Sequence, residues 1–372
     1  MDSNKKILFI APLPPPVHGS SMMSQYIQKS EQLNEIFDMD WVNLSTSRTI
    51  EEIGKKSFPL YFKKLFRFFA SYFLTLWMLL RKRYDLCYVA IACHGAAFLK
   101  DMPFVLLCKL FGRRVVLHQH NKGMSNCVNR FPYNWLMPLV YKNTKVILLS
   151  ERLYSDIEQV VKKEQVMICP NGIPSLPNIE CSSKRNNEVP HFLYLSNLIV
   201  SKGVYVLLDA CKILKTQGVS FVCDFVGGES KEISKSDFEK AVKERGLEQY
   251  VRYHGPQYGS NKETFWQNAD FFVFPTFYYN ESFPLVLLEA MQHGMTCVST
   301  NEGGIPDIVE NGKTGLICER ENSVDLSEKI KQMIDDDAMM QSMGREAKKK
   351  YEDCYTLKCF EQNFKDCIIN CL

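Results

Sequence analysis

The sequence predicts an α/β protein made of two doubly wound domains, each a parallel sheet covered by helices. Short, continuously apolar segments alternate with longer helical patterns, which is typical of strands buried on both faces of a parallel sheet. The same alternation starts again after a polar stretch at 175–190. A chain of 372 residues also exceeds the usual domain size of about 100–200 residues, so two domains are expected.

Ten segments are predicted strands. In the first half they are 6–12, 85–92, 113–120 and 145–150, and in the second half 191–196, 220–228, 251–255, 270–276, 296–300 and 315–318. We therefore predict a first domain at 1–174, a linker at 175–190, a second domain at 191–350 and a C-terminal helix at 351–372 that caps one of the domains, crossing back to the first as one option. Ligands of open α/β sheets bind beyond the carboxyl ends of the strands, so we expect the functional residues in these loops, facing a cleft between the domains.

Composition excludes several classes of protein. A net charge of +3 is too small to indicate nucleic-acid binding. The fourteen cysteines contain no Cys-x-x-Cys pair, which argues against a zinc site and favours reduced thiols in a cytoplasmic protein. The apolar run that follows the N-terminal "MDSNKK" is too short for a signal-peptide core. A glycine fingerprint for NAD is missing as well.

The segment 58–83 has two interpretations. It is apolar and aromatic with basic residues near both ends. Its run without a charge, 68–80, has 13 residues, fewer than the roughly 20 apolar residues that a spanning helix needs. It either packs against a sheet or lies at the inner face of the membrane, with aromatic side chains in the headgroup layer. Its basic residues are Lys63, Lys64, Arg67, Arg81, Lys82 and Arg83.

Two strand-end loops of the first domain carry candidate residues. Gly19 precedes a helix, where backbone amides can approach an anionic ligand, although a proline-stiffened turn explains the same residues. His118 and His120 alternate at the end of a predicted strand, so their side chains should share one face.

The second domain offers a cation and two carboxylates. Lys202, near Asn197, immediately precedes a glycine and an apolar helix, a position from which it could neutralise a phosphate. Glu281 lies in the loop after the strand 270–276, and Glu289 lies on the helix that follows. One carboxylate could contact one end of a ligand and the other a second part.

The segment "NESFPLVLLEAMQHGMTCVSTNEGGIPDIVENGKTGLI" resembles the signature region of family 4 retaining glycosyltransferases. The resemblance continues through most of the second half and, more loosely, through "PLPPPVHGSS" and "VVLHQHNKG". It implies the GT-B fold, with two Rossmann-like domains facing a cleft. The substrate implied is a nucleotide-diphosphate sugar, with a saccharide or lipid-linked saccharide as acceptor in surface polysaccharide assembly, and no cofactor or metal.

The resemblance also assigns roles to residues. Glu289 would bind the ribose, Lys202 the diphosphate, and His120 and Gly19 would lie near the reaction centre and phosphate. Glu281, with backbone amides of Ser282, Phe283 and Leu285, would hold the sugar and adjacent phosphate. The base would lie near Gln257 and Tyr258. The catalytic residues predicted are Glu281, His120 and Lys202.

Two positions depart from the family pattern. The chain has Ser196, Asn197 and Leu198 where Gly-Arg-Leu is common, so one phosphate-binding cation is replaced by Asn197, which carries no charge. Pro284 replaces a common glycine and lacks a backbone donor. Both departures bear on how the phosphates are held.

Two other functions use the same architecture. A nucleotide-sugar 2-epimerase would need one substrate and no acceptor. A non-catalytic partner in a polysaccharide assembly complex would keep the fold without the chemistry. Epimer formation from nucleotide sugar alone separates the first alternative from a transferase.

Overall fold

The structure is a computed structural model that describes residues 4–49, 52, 57–176 and 188–372. The chain divides into two compact units, one formed by Met1–Asn171 with Leu357–Leu372 and the other by Gly172–Thr356. The second unit therefore extends past the predicted domain end at residue 350. Most of the predicted linker at 175–190 lies outside the described residues.

The described part of the first unit contains a six-stranded parallel sheet with the strand order β2-β1-β3-β4-β5-β6. The strands are β1 (Lys5–Ala11), β2 (Phe37–Asn43), β3 (Leu86–Ile91), β4 (Arg114–Gln119), β5 (Lys145–Leu148) and β6 (Val166–Ile168). The helices between them are α1 (Gly19–Lys29), α2 (Glu31–Ile36), α3 (Phe58–Arg81), α4 (Gly95–Leu110), α5 (Tyr133–Tyr141) and α6 (Tyr154–Ile157). The inner strands β1, β3 and β4 are almost fully buried, as their apolar runs predict.

The described part of the second unit repeats this architecture with the order β12-β11-β10-β7-β8-β9, again all parallel. Its strands are β7 (His191–Leu195), β8 (Val222–Val226), β9 (Val251–Tyr253), β10 (Phe271–Phe274), β11 (Thr296–Thr300) and β12 (Gly315–Cys318). Its helices are α7 (Val204–Thr216), α8 (Lys235–Glu244), α9 (Gly259–Asn268), α10 (Leu285–Gln292), α11 (Ile305–Ile308), α12 (Ser323–Asp335) and α13 (Asp337–Cys354). All six strands coincide with predicted segments.

The last helix, α14 (Leu357–Ile369), belongs to the first unit. Its buried residues Phe360, Phe364, Cys367 and Ile368 lie on one side of the helix. The ring of Phe364 lies 6.3 Å from that of Phe9 on β1 and 5.5 Å from that of Tyr88 on β3. The apolar face of α14 therefore completes the core of the first unit.

Candidate active site

The second sheet has a topological switch point between β7 and β10. The first strand of this unit, β7, lies in the middle of the sheet, with β8 on one side and β10 on the other. The loops after two such strands leave in opposite directions, and open α/β sheets bind ligands in the crevice that this creates. Lys202 follows β7 and Glu281 follows β10, so the chain places both residues at the switch point.

Close backbone contacts fix these two loops against each other. The amide of Phe277 donates a hydrogen bond of 2.8 Å to the carbonyl of Ser201. Gly203, with φ of 84°, lies so close to the β10 loop that a Cβ there would sit 2.2 Å from the Pro275 carbonyl oxygen. Only glycine fits a left-handed position at that distance. The position of Lys202 is thus set by the packing of the neighbouring residue.

Lys202 and Glu281 form an ion pair at the centre of the site. The Lys202 ammonium donates to Glu281 Oε2, and the two side chains are 15% and 11% exposed. The ammonium also lies 4.6 Å from the ring centroid of Tyr278 and 5.3 Å from that of Phe274. A cation that is held by a carboxylate and aromatic faces, and is still partly open to solvent, can neutralise an incoming anion without first moving.

A third strand-end loop packs against the backbone of the loop that carries Glu281. Gly303, after β11, has a positive φ of 54°, and a Cβ there would lie 2.2 Å from the carbonyl oxygen of Glu281. The amide of Gly304 donates to the carbonyl of Ser282 at 2.8 Å. The Ser282 hydroxyl is buried and has no hydrogen-bond partner within the described residues. It is therefore a polar group that a ligand could satisfy.

The helix α10 carries the second carboxylate. It begins after Pro284 and stops before Gly294, whose φ of 70° is the left-handed cap that the sequence predicts. Glu289 accepts a hydrogen bond of 2.5 Å from the Lys262 ammonium of α9, with side chains 28% and 26% exposed. An apolar helix can carry this carboxylate because a lysine from the neighbouring helix balances its charge.

A second contact joins the same helices. His293, directly after α10, lies with Nε2 2.7 Å from Glu263 Oε1 on α9. Its Nδ1 is 2.7 Å from the backbone oxygen of Glu289. Glu289 is therefore held through its carboxylate by Lys262 of α9 and through its backbone by His293, which itself contacts Glu263 of α9.

Phe283 and Leu285, whose backbone amides are predicted to contact the ligand, flank the start of α10. Leu285 is the first residue of α10, and Phe283 is buried with its ring against that of Tyr355 at 5.7 Å. The aromatic side chain of Phe283 serves the core, so a ligand contact at this residue has to come from its backbone.

Asn197 has a role inside the protein. Its Oδ1 accepts a hydrogen bond of 3.1 Å from the amide of Gly228, in the loop after β8. The same loop approaches so closely that a Cβ on Gly227 would lie 1.8 Å from the Ser196 carbonyl oxygen. Where the family commonly has a cation, this chain has an amide whose oxygen positions the β8 loop.

The predicted base region follows β9. The Gln257 side chain donates to the carbonyl of His254 at 2.8 Å, which holds the turn in place. Tyr258 immediately precedes α9 and is 76% exposed. The same short helix carries Lys262, so the predicted base region and the partner of Glu289 lie on adjoining residues.

The first unit presents Gly19 at the start of α1. The preceding residue, His18, caps this helix, with Nδ1 accepting from the Ser21 amide at 3.3 Å and its own amide donating to the Ser21 hydroxyl at 3.0 Å. A Cβ on Gly19 would meet no atom within 4 Å. The fold itself therefore does not require glycine here, and the open space above the helix start is available to a ligand.

The histidines at the end of β4 lie side by side, as their alternation predicts. The ring centroids of His118 and His120 are 4.1 Å apart. Tyr88 hydroxyl lies 2.7 Å from Nδ1 of His118, whereas both ring nitrogens of His120 are buried and lack a hydrogen-bond partner within the described residues. Burial, reinforced by His18, lowers the pKa of His120 to about 3, so the ring is neutral at pH 7.

Three contributors to the site were not predicted from the sequence. Lys262 lies 27 residues from Glu289 on another helix, and no local pattern links them. Tyr278 stands within a predicted loop, but its position over the Lys202 ammonium depends on the packing of the β10 loop. Gly227 is the last but one residue of the predicted strand 220–228, and its glycine requirement could have been suspected from the Gly-Gly sequence.

The family comparison agrees with this arrangement of loops. Residues 177–350 match the family model described as Glycosyl transferases group 1. Over these residues, the chain is similar to the group 1 glycosyl transferases. The matched segment lies within the second unit and includes Lys202, Glu281 and Glu289.

A curated relative extends the similarity beyond this segment. The chain is 26% identical over 229 residues to the capsular polysaccharide biosynthesis glycosyltransferase CapM of Staphylococcus aureus, which covers 57% of the chain and 58% of CapM. The chain thus spans about three fifths of CapM, and it matches 22% of the length of N-acetyl-alpha-D-glucosaminyl L-malate synthase of Bacillus anthracis.

Solved structures share the fold over nearly the whole chain. Sucrose-phosphate synthase from Thermosynechococcus elongatus matches with a TM-score of 0.74 at 16% identity, covering 99% of each chain. Anabaena HepE, in complex with UDP, matches with a TM-score of 0.71 at 17% identity, covering 98% of this chain and all of HepE. The two parallel sheets with their helices are thus those of the GT-B fold.

Proposed function

We propose that this protein is a retaining glycosyltransferase that moves a sugar from a nucleotide-diphosphate sugar to a saccharide or lipid-linked saccharide acceptor in surface polysaccharide assembly. The observation that carries the proposal is the Lys202–Glu281 pair at the switch point of the second sheet. The group 1 family match and the similarity to CapM support both the reaction class and the polysaccharide context.

The proposed chemistry uses the chain's residues to position substrate and stabilise charge. The diphosphate would lie against the Lys202 ammonium, where negative charge grows as the bond from the anomeric carbon to the phosphate oxygen breaks. The acceptor oxygen bonds to the same face of that carbon, and its proton passes to the departing phosphate. Glu281 would accept hydrogen bonds from the sugar hydroxyls. The family resemblance supports retention, and metal independence belongs to the same proposal.

Donor binding and turnover test the proposal together. A panel that starts with UDP-sugars, because HepE was solved with UDP, should contain one donor that raises the melting temperature. That donor, given saccharide acceptors, should yield a product whose new linkage keeps the donor's anomeric configuration by NMR. A product with the opposite anomeric configuration would refute the retaining mechanism. Epimerisation of the donor without any acceptor would support the 2-epimerase alternative, and binding without turnover on any acceptor would support the non-catalytic one.

Lys262→Met should weaken donor binding and leave the chemical step nearly unchanged. The Lys262 ammonium holds the Glu289 carboxylate that we propose for the ribose. Loss of one charge-assisted hydrogen bond is worth about 1.5 kcal/mol, so KM for the donor should rise about tenfold with kcat within about twofold.

The matched control for this experiment is Lys235→Met. Lys235 pairs with Glu239 at 3.7 Å on α8, where both side chains are about 60% exposed. This control should behave as wild type. An unchanged KM in Lys262→Met would show that Glu289 needs no lysine for its role.

A further inference from the structure

One side of α3 is a continuous stripe of large apolar side chains exposed to solvent. Its members follow one another at intervals of three or four residues, the spacing that places side chains on one face of a helix. The stripe consists of Phe58, Phe62, Phe66, Phe69, Phe73, Trp77 and Leu80, each between 45% and 77% exposed. At about 1.5 Å per residue, a helix of 24 residues extends this stripe over about 36 Å.

The other side of α3 anchors the helix to the first unit. Thr75, Met78 and Leu79 are buried. The ring of Phe104 on α4 lies 5.7 Å from that of Phe68 and 5.6 Å from that of Tyr72. The packed interpretation of this segment is thus correct for one side of the helix only. The stripe faces away from the core that holds the helix.

Basic residues border the stripe, and the helix contains no acidic ones. No aspartate or glutamate occurs in 58–81. Lys63 is exposed within the helix, and the Arg81 guanidinium lies 5.7 Å from the ring centroid of Trp77. Exposed Arg83 lies two residues after the end of the helix. Aromatic side chains bordered by lysine and arginine are typical of helices that lie in the headgroup layer of a membrane.

Large apolar side chains are also exposed at the neighbouring helices α4 and α5. α4 lies between α3 and α5 and contacts both. Leu110 at the end of α4 is 81% exposed, and Phe131 and Trp135 at α5 are 86% and 68% exposed. The segment 131–142 again contains no acidic residue. Isolated exposed apolar residues are common, but seven large apolar side chains that follow one another on one face of α3 mark an interaction site.

We propose that the stripe on α3 binds the surface of a bilayer that contains anionic lipid. The charge of this face is complementary to phosphate headgroups, whereas two copies of the chain joined through it would bring Lys63, Arg81 and Arg83 of both copies together. The helix binds lying in the surface plane. Within the described residues, no helix is long and apolar enough to cross a bilayer.

Vesicle flotation of the full chain tests this surface. The wild type should float with vesicles of phosphatidylcholine and phosphatidylglycerol, and much less with phosphatidylcholine alone or at high salt. A variant with Phe66→Ser, Phe73→Ser and Trp77→Ser should lose at least about tenfold in bound fraction, because it removes three apolar anchors from the stripe.

The matched control replaces exposed apolar residues elsewhere, Val324→Ser with Ile369→Ser, which are 57% and 48% exposed. The control should float as wild type does, and melting temperatures of both variants should confirm that they fold. Failure of the wild type to float with anionic vesicles overturns the proposal, as does equal flotation of the stripe variant. Light scattering of both proteins gives a further outcome. A wild type that is dimeric and does not float, together with a stripe variant that is monomeric, would overturn the proposal and assign the stripe to contact with a second copy of the chain.

Discussion

Glu281→Gln should lower sugar transfer by at least about 100-fold, because it removes the carboxylate that holds Lys202 and the interaction that we propose with the reacting sugar. Lys202→Met should have an effect of similar size through the leaving diphosphate. Each single variant should also lower the free energy of unfolding by about 1–3 kcal/mol, since it leaves a mostly buried charge without its partner. Initial rates at saturating donor and urea unfolding measure the two effects.

The double variant separates catalysis from stability. Lys202→Met with Glu281→Gln removes both charges, so it should regain part of the lost stability and none of the activity. The exposed pair Lys240–Glu244 on α8, at 3.8 Å, is the matched control, and its neutralisation should change neither quantity measurably. Transfer at wild-type rates in both single variants would refute the roles that we propose for the pair.

Mild acid should destabilise the protein through the histidines at the end of β4. His120 has a folded-state pKa of about 3 against about 6.5 in the unfolded chain, so the unfolded state binds more protons below pH 6.5. The stability from the neutral ring is present above pH 6.5 and is lost as the pH falls towards 3. Between pH 7 and pH 5, His120 alone should account for a loss of about 2 kcal/mol in the free energy of unfolding.

His120→Asn is the variant that isolates this contribution. Asparagine does not titrate, so the slope of stability against pH should become shallower by about 2 kcal/mol over the same interval. Part of the slope should remain, because burial and the neighbouring His120 also lower the pKa of His118 well below its usual value. Urea unfolding at pH 7 and pH 5 gives the comparison. An identical slope in the variant and the wild type would mean that His120 is solvated and protonates normally.

Most strands were predictable because they lie inside parallel sheets. β3 and β4 are buried on both faces and read as unbroken apolar runs. β2 was missed because it lies at the edge of the sheet, where the segment "FDMDWVN" keeps polar side chains. β6, with only three residues at the opposite edge, was missed for the same kind of reason. Edge strands need fewer apolar residues and leave a weaker pattern.

The sequence by itself determined which residues stand at the strand ends. Lys202, Glu281 and His120 follow apolar runs whose boundaries are local properties of the chain. Only the tertiary structure decided what these residues contact, such as Lys262 against Glu289, because such pairs come from elements far apart in sequence. The helix α3 is a second case, because the spacing of its aromatic residues places them on one face. Whether that stripe is buried or exposed depends on which side packs against α4, and the fold leaves it exposed.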